Sequence, residues 1–176
     1  YLVASCAMGI MYWKFFQKQK PTPRELLSIA GLGLVGFTLY NIFLNEGERS
    51  LTASASSFVN GQIPVFACFL SMAFLKENIQ KKHWLGLLIS VIGVSIIASG
   101  GINWHDITSQ YTLHFSETLF AAFLASTYAV FQKPLLKRFN PLTFVTYAIW
   151  CGTIFLCCYL PDLIHEWPLA PLDAKL

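Results

Sequence analysis

Charge is what this chain has least of. Only 12% of its 176 residues are Asp, Glu, Lys or Arg, about half the ~25% of an ordinary soluble domain, whereas 55% are hydrophobic and the mean hydropathy is +0.54. That balance excludes a water-soluble globule and reads as an integral membrane protein. No Asp, Glu, Lys or Arg lies in the middle of any apolar run, and intramembrane proton relays and ion sites ordinarily need one, so nothing supports proton coupling at the midplane. A glycine-rich phosphate loop, HExxH and GxSxG are also missing, so neither an enzyme nor a bound cofactor is expected. The cysteines, Cys6, Cys68, Cys151, Cys157 and Cys158, lie in apolar runs without a CxxC spacing and read as small apolar fillers rather than metal ligands. The histidines, His83, His105, His114 and His165, fall at or outside the expected membrane boundaries, where solvation is their usual state. No charged segment precedes an apolar core, so no signal peptide is expected. The chain opens inside the apolar run Tyr1 to Trp13 and stops in a polar stretch, which suggests a fragment of a longer protein.

What is present is organised around Leu51 to Leu75, a run of 25 residues without a charge. At ~1.5 Å per residue, a helix of that length more than crosses a hydrocarbon core of roughly 30 Å. It is not a plain rod. Ser54, Ser56, Ser57, Asn60 and Gln62 stud its first half, and Gly61 and Pro64 weaken it near the middle. Pro64 has no N–H to offer the carbonyl of Asn60, so a backbone acceptor is freed beside that amide side chain. Small hydroxyl residues and proline also serve simple helix packing, but amides in hydrocarbon are costly unless they face protein or water.

Five further spans are expected. The first runs from Tyr1 to about Phe16, the second from Leu26 to Asn45, the fourth from Trp84 to about Gly100, the fifth from Ser116 as N-cap to Lys133, and the sixth from Pro141 to Leu160. The uncharged part of the fifth, Thr118 to Gln132, is only 15 residues. Between them, Ile102 to Phe115 and His165 to Leu176 read as loops. The short connection Glu46 to Ser50 makes the second and third spans antiparallel neighbours. Gly31, Gly33 and Gly36 in the second, the stripe Gly86, Ser90, Gly93 in the fourth, and the face Ala121, Ala125, Ala129 in the fifth would let other helices approach. Lysine and arginine alternate sharply: the first, third and fifth connections hold ten and the others two. By the positive-inside tendency, the basic loops 17–25, 76–83 and 133–140 are expected in the cytoplasm, in a multi-pass protein of the inner (plasma) membrane.

Neutral polar groups recur at similar depth on neighbouring spans: Thr38 and Asn41 on the second, Ser56, Asn60 and Gln62 on the third, Tyr128 on the fifth. Together with Pro64 they form the candidate substrate-binding set, suited to polar neutral or zwitterionic small molecules. The competing reading has them hydrogen-bonding one another between helices, at about 0.6 kcal/mol per pair. Ser56, Asn60, Ala67 and Ser71 lie along one side of an unbroken helix. Glu77, below that side, is either structural, pairing with Lys81 at i+4, or part of a gate.

The run Leu39-Tyr40-Asn41, Ala53, Pro64-Val65-Phe66, Phe74-Leu75-Lys76-Glu77, Trp84-Leu85-Gly86 and Ile92-Gly93-Val94 resembles the central part of the EamA-type drug/metabolite transporters. Lys76 stands where glycine is common in that family, whereas Glu77 matches it. Ser116 to Leu142, with Tyr128, Gln132-Lys133 and Phe139-Asn140-Pro141-Leu142, looks like the opening of the family's second repeat.

The resemblance implies an all-α polytopic bundle of about six transmembrane helices, corresponding to helices two to seven of ten in an inverted-repeat fold. Residues 1–100 would be the rest of the first repeat, 101–115 an external loop and 116–176 the start of the second. The implied activity is transport, more often export, of small metabolites, amino acids or drug-like solutes by alternating access. The alternative is a membrane accessory or lipid-flipping subunit. The expected partners are a small-molecule solute and the lipid bilayer, with a homodimer left open and no nucleic acid.

Overall fold

The computed structural model describes residues 2–15, 21–49, 51–78, 80–99 and 109–157. Among them are six helices and no strand. They are α1 (Leu2–Phe15), α2 (Pro23–Glu48), α3 (Ala53–Leu75), α4 (Lys81–Ser99), α5 (Ser109–Leu136) and α6 (Pro141–Leu156). The expected loop His165 to Leu176, the end of the sixth span and residues 101–108 lie outside the described residues.

Local chemistry sets the helix starts. At α2, Pro23 occupies the first turn, where its missing N–H costs nothing, and the Glu25 carboxylate accepts from the Thr22 N–H at 2.8 Å and hydroxyl at 2.6 Å. Thr52 caps α3 by accepting from the Ala55 N–H at 3.3 Å, and Asn140 caps α6 by accepting from the Leu142 N–H at 3.1 Å. Two helices are irregular. Between Leu34 and Leu39, α2 is wound as a π segment. At Gly61–Gln62, α3 is interrupted, as Gly61 and Pro64 lead one to expect.

Three sequence expectations are corrected. The fifth helix begins at Ser109, so the expected loop is helical over 109–115, and Ser116 is an interior residue whose hydroxyl donates to the Leu113 carbonyl at 2.7 Å. Its N-terminal extension is held by tertiary contact: the Thr118 side chain and the His114 carbonyl press on Gly47 of α2. The helix also passes Pro134, which offers no N–H to the Val130 carbonyl, and ends two residues later at Leu136. Second, α5 packs on both α2 and α3, whose direct contact with each other is slight, so the short connection does not make them packed neighbours. Third, Gly86 and Gly93 have nothing within 4 Å of a would-be side chain, so the stripe on α4 meets no other part of the described chain.

The central element is α5. Ring contacts Phe43–Phe120, Phe66–Phe123 and Phe74–Phe131 run down it, and the Ser126 hydroxyl donates to the Ile63 carbonyl at 2.9 Å. On the other side, α6 packs against the first half of α2 and against α1, where the Trp150 indole donates to the Ser5 carbonyl at 3.1 Å. Ile29, Phe139, Phe144 and Ala148 form the buried core there. Gly33 lies so close to Ala148 and Gly152 that Thr38 donates across the interface to the Gly152 carbonyl at 3.0 Å.

Ion pairs Glu25–Arg138 and Glu77–Lys133 bring the first, third and fifth connections to one end of the bundle. Its flanks are oily. Only 17% of the apolar window of α3 and 28% of that of α5 are buried within the chain. So much exposed apolar helix requires a lipid surround, and the protein is a multi-pass membrane bundle.

Candidate functional site

The interruption of α3 shows how the chain handles broken backbone bonds at membrane depth. The Gln62 N–H turns back to the Val59 carbonyl at 2.9 Å, and the Gln62 side-chain amide donates to the Phe58 carbonyl at 3.1 Å. Beside this patch, the buried Asn60 Oδ1 has no hydrogen-bond partner among the described residues. A buried acceptor left unpaired costs on the order of 1–3 kcal/mol, and the Thr143 hydroxyl is a second buried group without a partner among the described residues.

Below the interruption, a cavity of about 620 Å³ opens between α3, α4 and α5. Pro64, Ala67, Cys68 and Ser71 line it from α3, His83 and Leu87 from α4, and Ala129, Val130 and Lys133 from α5, with Glu77 and Asn78 at the mouth. Pro64 and Ser71 lie seven residues apart, so the cavity reaches roughly 10 Å along the helix from mouth to interruption. Its wall toward Pro64 is apolar and its end at Lys133 and Glu77 is polar.

The mouth is built around Lys133. Its Nζ donates to the Glu77 carboxylate at 2.7 Å and to the Ser71 hydroxyl at 3.1 Å. That hydrogen bond to Lys133 chiefly holds the Glu77 carboxyl below its ordinary range, against a smaller opposing effect of desolvation, with help from the Lys133 charge, Ser71 and Lys137. The helical i+4 geometry expected between Glu77 and Lys81 is corrected, because the helix ends at Leu75 and the next begins at Lys81, leaving Glu77 on non-helical backbone. What positions Glu77 is Lys76, in the left-handed conformation at φ 52° and ψ 32°, which lets the Glu77 N–H bond to the Ser71 carbonyl at 3.2 Å.

Of the residues expected to bind substrate, Pro64 lines this cavity, as does Glu77. Thr38 is buried against Gly152. Asn41 donates to the Phe37 carbonyl at 2.6 Å, Ser56 donates to Glu48 at 2.5 Å, and Gln62 is engaged with Phe58. Tyr128 fills the space over Gly36, with its ring against Phe37 and Phe144. Ala67 and Ser71 line the cavity but Ser56 and Asn60, expected on the same side, do not, because α3 is interrupted between the pairs. Sequence reasoning missed Lys133 and His83 as cavity residues, since only the packing of α5 and α4 brings them in. It also took His114 for solvated, whereas it is buried with its Nδ1 3.0 Å from Glu117.

Residues 1–99 match the model of the EamA-like transporter family. The chain belongs to the EamA-like transporter family. The match covers α1 to α4, and curated relatives extend it across the rest. The chain is 35% identical over 175 residues to the "Uncharacterized transporter YdfC" of Bacillus subtilis, covering 99% of this chain and 56% of that protein. It is 33% identical over 172 residues to the "Probable terminal-alkyne amino-acid exporter" of Streptantibioticus cattleyicolor, covering 98% of this chain and 56% of the relative. It is 31% identical over 144 residues to an "Uncharacterized transporter" of Archaeoglobus fulgidus, covering 81% and 49%. The chain thus spans about half the length of the curated relatives it matches. No solved structure matches it. In this EamA-like chain Lys76 holds a left-handed backbone that glycine would adopt without a side-chain penalty.

Proposed function

We propose that the complete protein is a transporter that moves a small metabolite across the plasma membrane, outward, by alternating access between two repeats. The observation that carries this reading is the cavity that reaches the interruption in α3, where irregular backbone is tolerated because protein or water faces it. Its relatives are named as transporters, one of them an amino-acid exporter, which favours amino acids among the solutes. The lysine-rich end of the bundle faces the cytoplasm in this reading, so the cavity mouth opens inward. Pro64 stands at the far end of the cavity from Lys133 and Asn60 lies one helical turn beyond it, with Thr38, Asn41, Ser56, Gln62 and Tyr128 as the remaining polar groups at membrane depth, and Glu77 helps to gate the mouth.

Vesicles containing the full-length protein test this by exchange of a labelled amino-acid panel against internal unlabelled solute. Exchange that disappears in Asn60→Leu is the expected result. No exchange of any solute by folded protein, with a stable co-purifying subunit, would instead identify an accessory role.

A further inference from the structure

From the geometry we infer that Lys133, with Ser71, is a recognition point for the carboxylate of a small solute whose apolar tail lies along the apolar wall of the cavity toward Pro64. This names the ligand chemistry of the proposed transport path and rests on that reading for its purpose, though not for its test.

The cavity already contains a template of the ligand. Lys133 Nζ holds one carboxylate, that of Glu77, at 2.7 Å and one hydroxyl, that of Ser71, at 3.1 Å. An ammonium group has three donors, so Lys133 can keep its bond to Ser71 while a solute carboxylate takes the place of Glu77. Both members of the pair are accessible, with 44% of the Lys133 side chain and 43% of the Glu77 side chain exposed. A solute carboxylate reaching Lys133 makes the same charge-assisted bond that Glu77 makes, so exchanging one for the other replaces like with like. A phosphate dianion is a poorer fit, since Glu77 repels it and Lys133 is the only Lys or Arg that lines the cavity among the described residues. The rest of the wall selects the tail. Pro64, Ala67, Leu87, Ala129 and Val130 give an apolar surface that extends roughly 10 Å along α3 from the mouth. The matching solute is therefore a short carboxylate with an aliphatic or aromatic tail, and a zwitterion can also place its ammonium at Glu77.

Cys68 lines the same cavity and supplies the readout. In the full-length protein with every other cysteine replaced, alkylation of Cys68 by a maleimide is timed at neutral pH with 4-methylpentanoate, its neutral isostere 4-methylpentanamide, or neither. The expected result is slower alkylation with the acid and an unchanged rate with the amide. Lys133→Gln should abolish protection and Lys133→Arg retain it. Glu77→Gln, which removes the competing carboxylate, should lower the half-protecting acid concentration by roughly two- to fivefold, the factor that corresponds to a half-exposed ion pair. Equal protection by acid and amide, no protection by either, or full protection in a folded Lys133→Gln protein overturns the inference. Loss of protection with solute exchange intact refutes the site alone. Protection without exchange refutes the transport reading and leaves the site standing.

Discussion

Replacing Gly33 with alanine is the sharpest test of how this bundle is held together. A side-chain carbon at Gly33 would lie 2.5 Å from the Ala148 carbonyl oxygen and 3.3 Å from the Gly152 nitrogen, both backbone atoms of α6 that cannot rotate away. To reach an ordinary contact of 3.4 Å, α6 has to retreat by about 0.9 Å. That retreat also stretches the 3.0 Å bond from Thr38 to the Gly152 carbonyl beyond hydrogen-bond range. Overpacking of this kind costs about 1–3 kcal/mol and the lost interhelical bond about 0.6, while alanine regains about 1 in helix propensity. The net expectation is a loss of about 0.5–2.5 kcal/mol. Gly86→Ala is the control, because nothing lies within 4 Å of that position and only the propensity term, a gain of up to about 1 kcal/mol, remains. Heating the purified full-length protein in detergent and measuring the fraction that stays monodisperse gives a melting temperature for each. Wild type should fall between the two variants. If Gly33→Ala melts with or above wild type, the close approach of α2 and α6 is wrong.

Further outcomes follow from individual residues. Lys76 occupies a left-handed conformation that costs an ordinary residue about 1–2 kcal/mol, so Lys76→Gly should raise the melting temperature despite the added freedom of the unfolded chain, a net gain of about 0.5–1 kcal/mol. The Glu77 carboxyl is held below its ordinary range, so its contribution is fully present above that range and lost as pH falls through the folded value. Wild type should therefore be more stable than Glu77→Gln at neutral pH, with the gap closing only in acid. A gap that closes between pH 8 and 6 would contradict the assignment. Asn60→Leu removes a buried acceptor that has no partner, so the variant should be at least as stable as wild type while losing solute exchange. A large drop in stability would make Asn60 a packing residue.

The six helices were legible because membrane spans announce themselves in uncharged runs, and the interruption of α3 was legible because Gly61 and Pro64 are local signals. The π segment of α2 was not, since Leu34 to Leu39 holds no residue that calls for wider winding. The early start of α5 was hidden for a similar reason: Ser109 to Phe115 is polar enough to read as a loop, and the contact with Gly47 that orders it joins residues far apart in the chain. The site divides along the same line. Pro64 and Glu77 could be picked out from the broken helix and the family pattern, but the partner of Glu77 is 56 residues away in the chain, beyond any local pairing rule. Thr38 and Ser56 show the converse, since hydroxyl groups placed for passage and hydroxyl groups placed for packing look alike in a sequence.

Glu25 and Glu77 belong to different parts of the chain, yet their basic partners, Arg138 and Lys133, sit at the close of α5 and just beyond it. That short segment is a common clasp. A protease cut between Lys133 and Arg138 would keep the Glu77–Lys133 tie inside the first piece and leave Glu25–Arg138 as the ion pair that still joins the severed pieces, beside their greasy contacts. Whatever pushes this segment tugs on the entrances to α2 and α4 together.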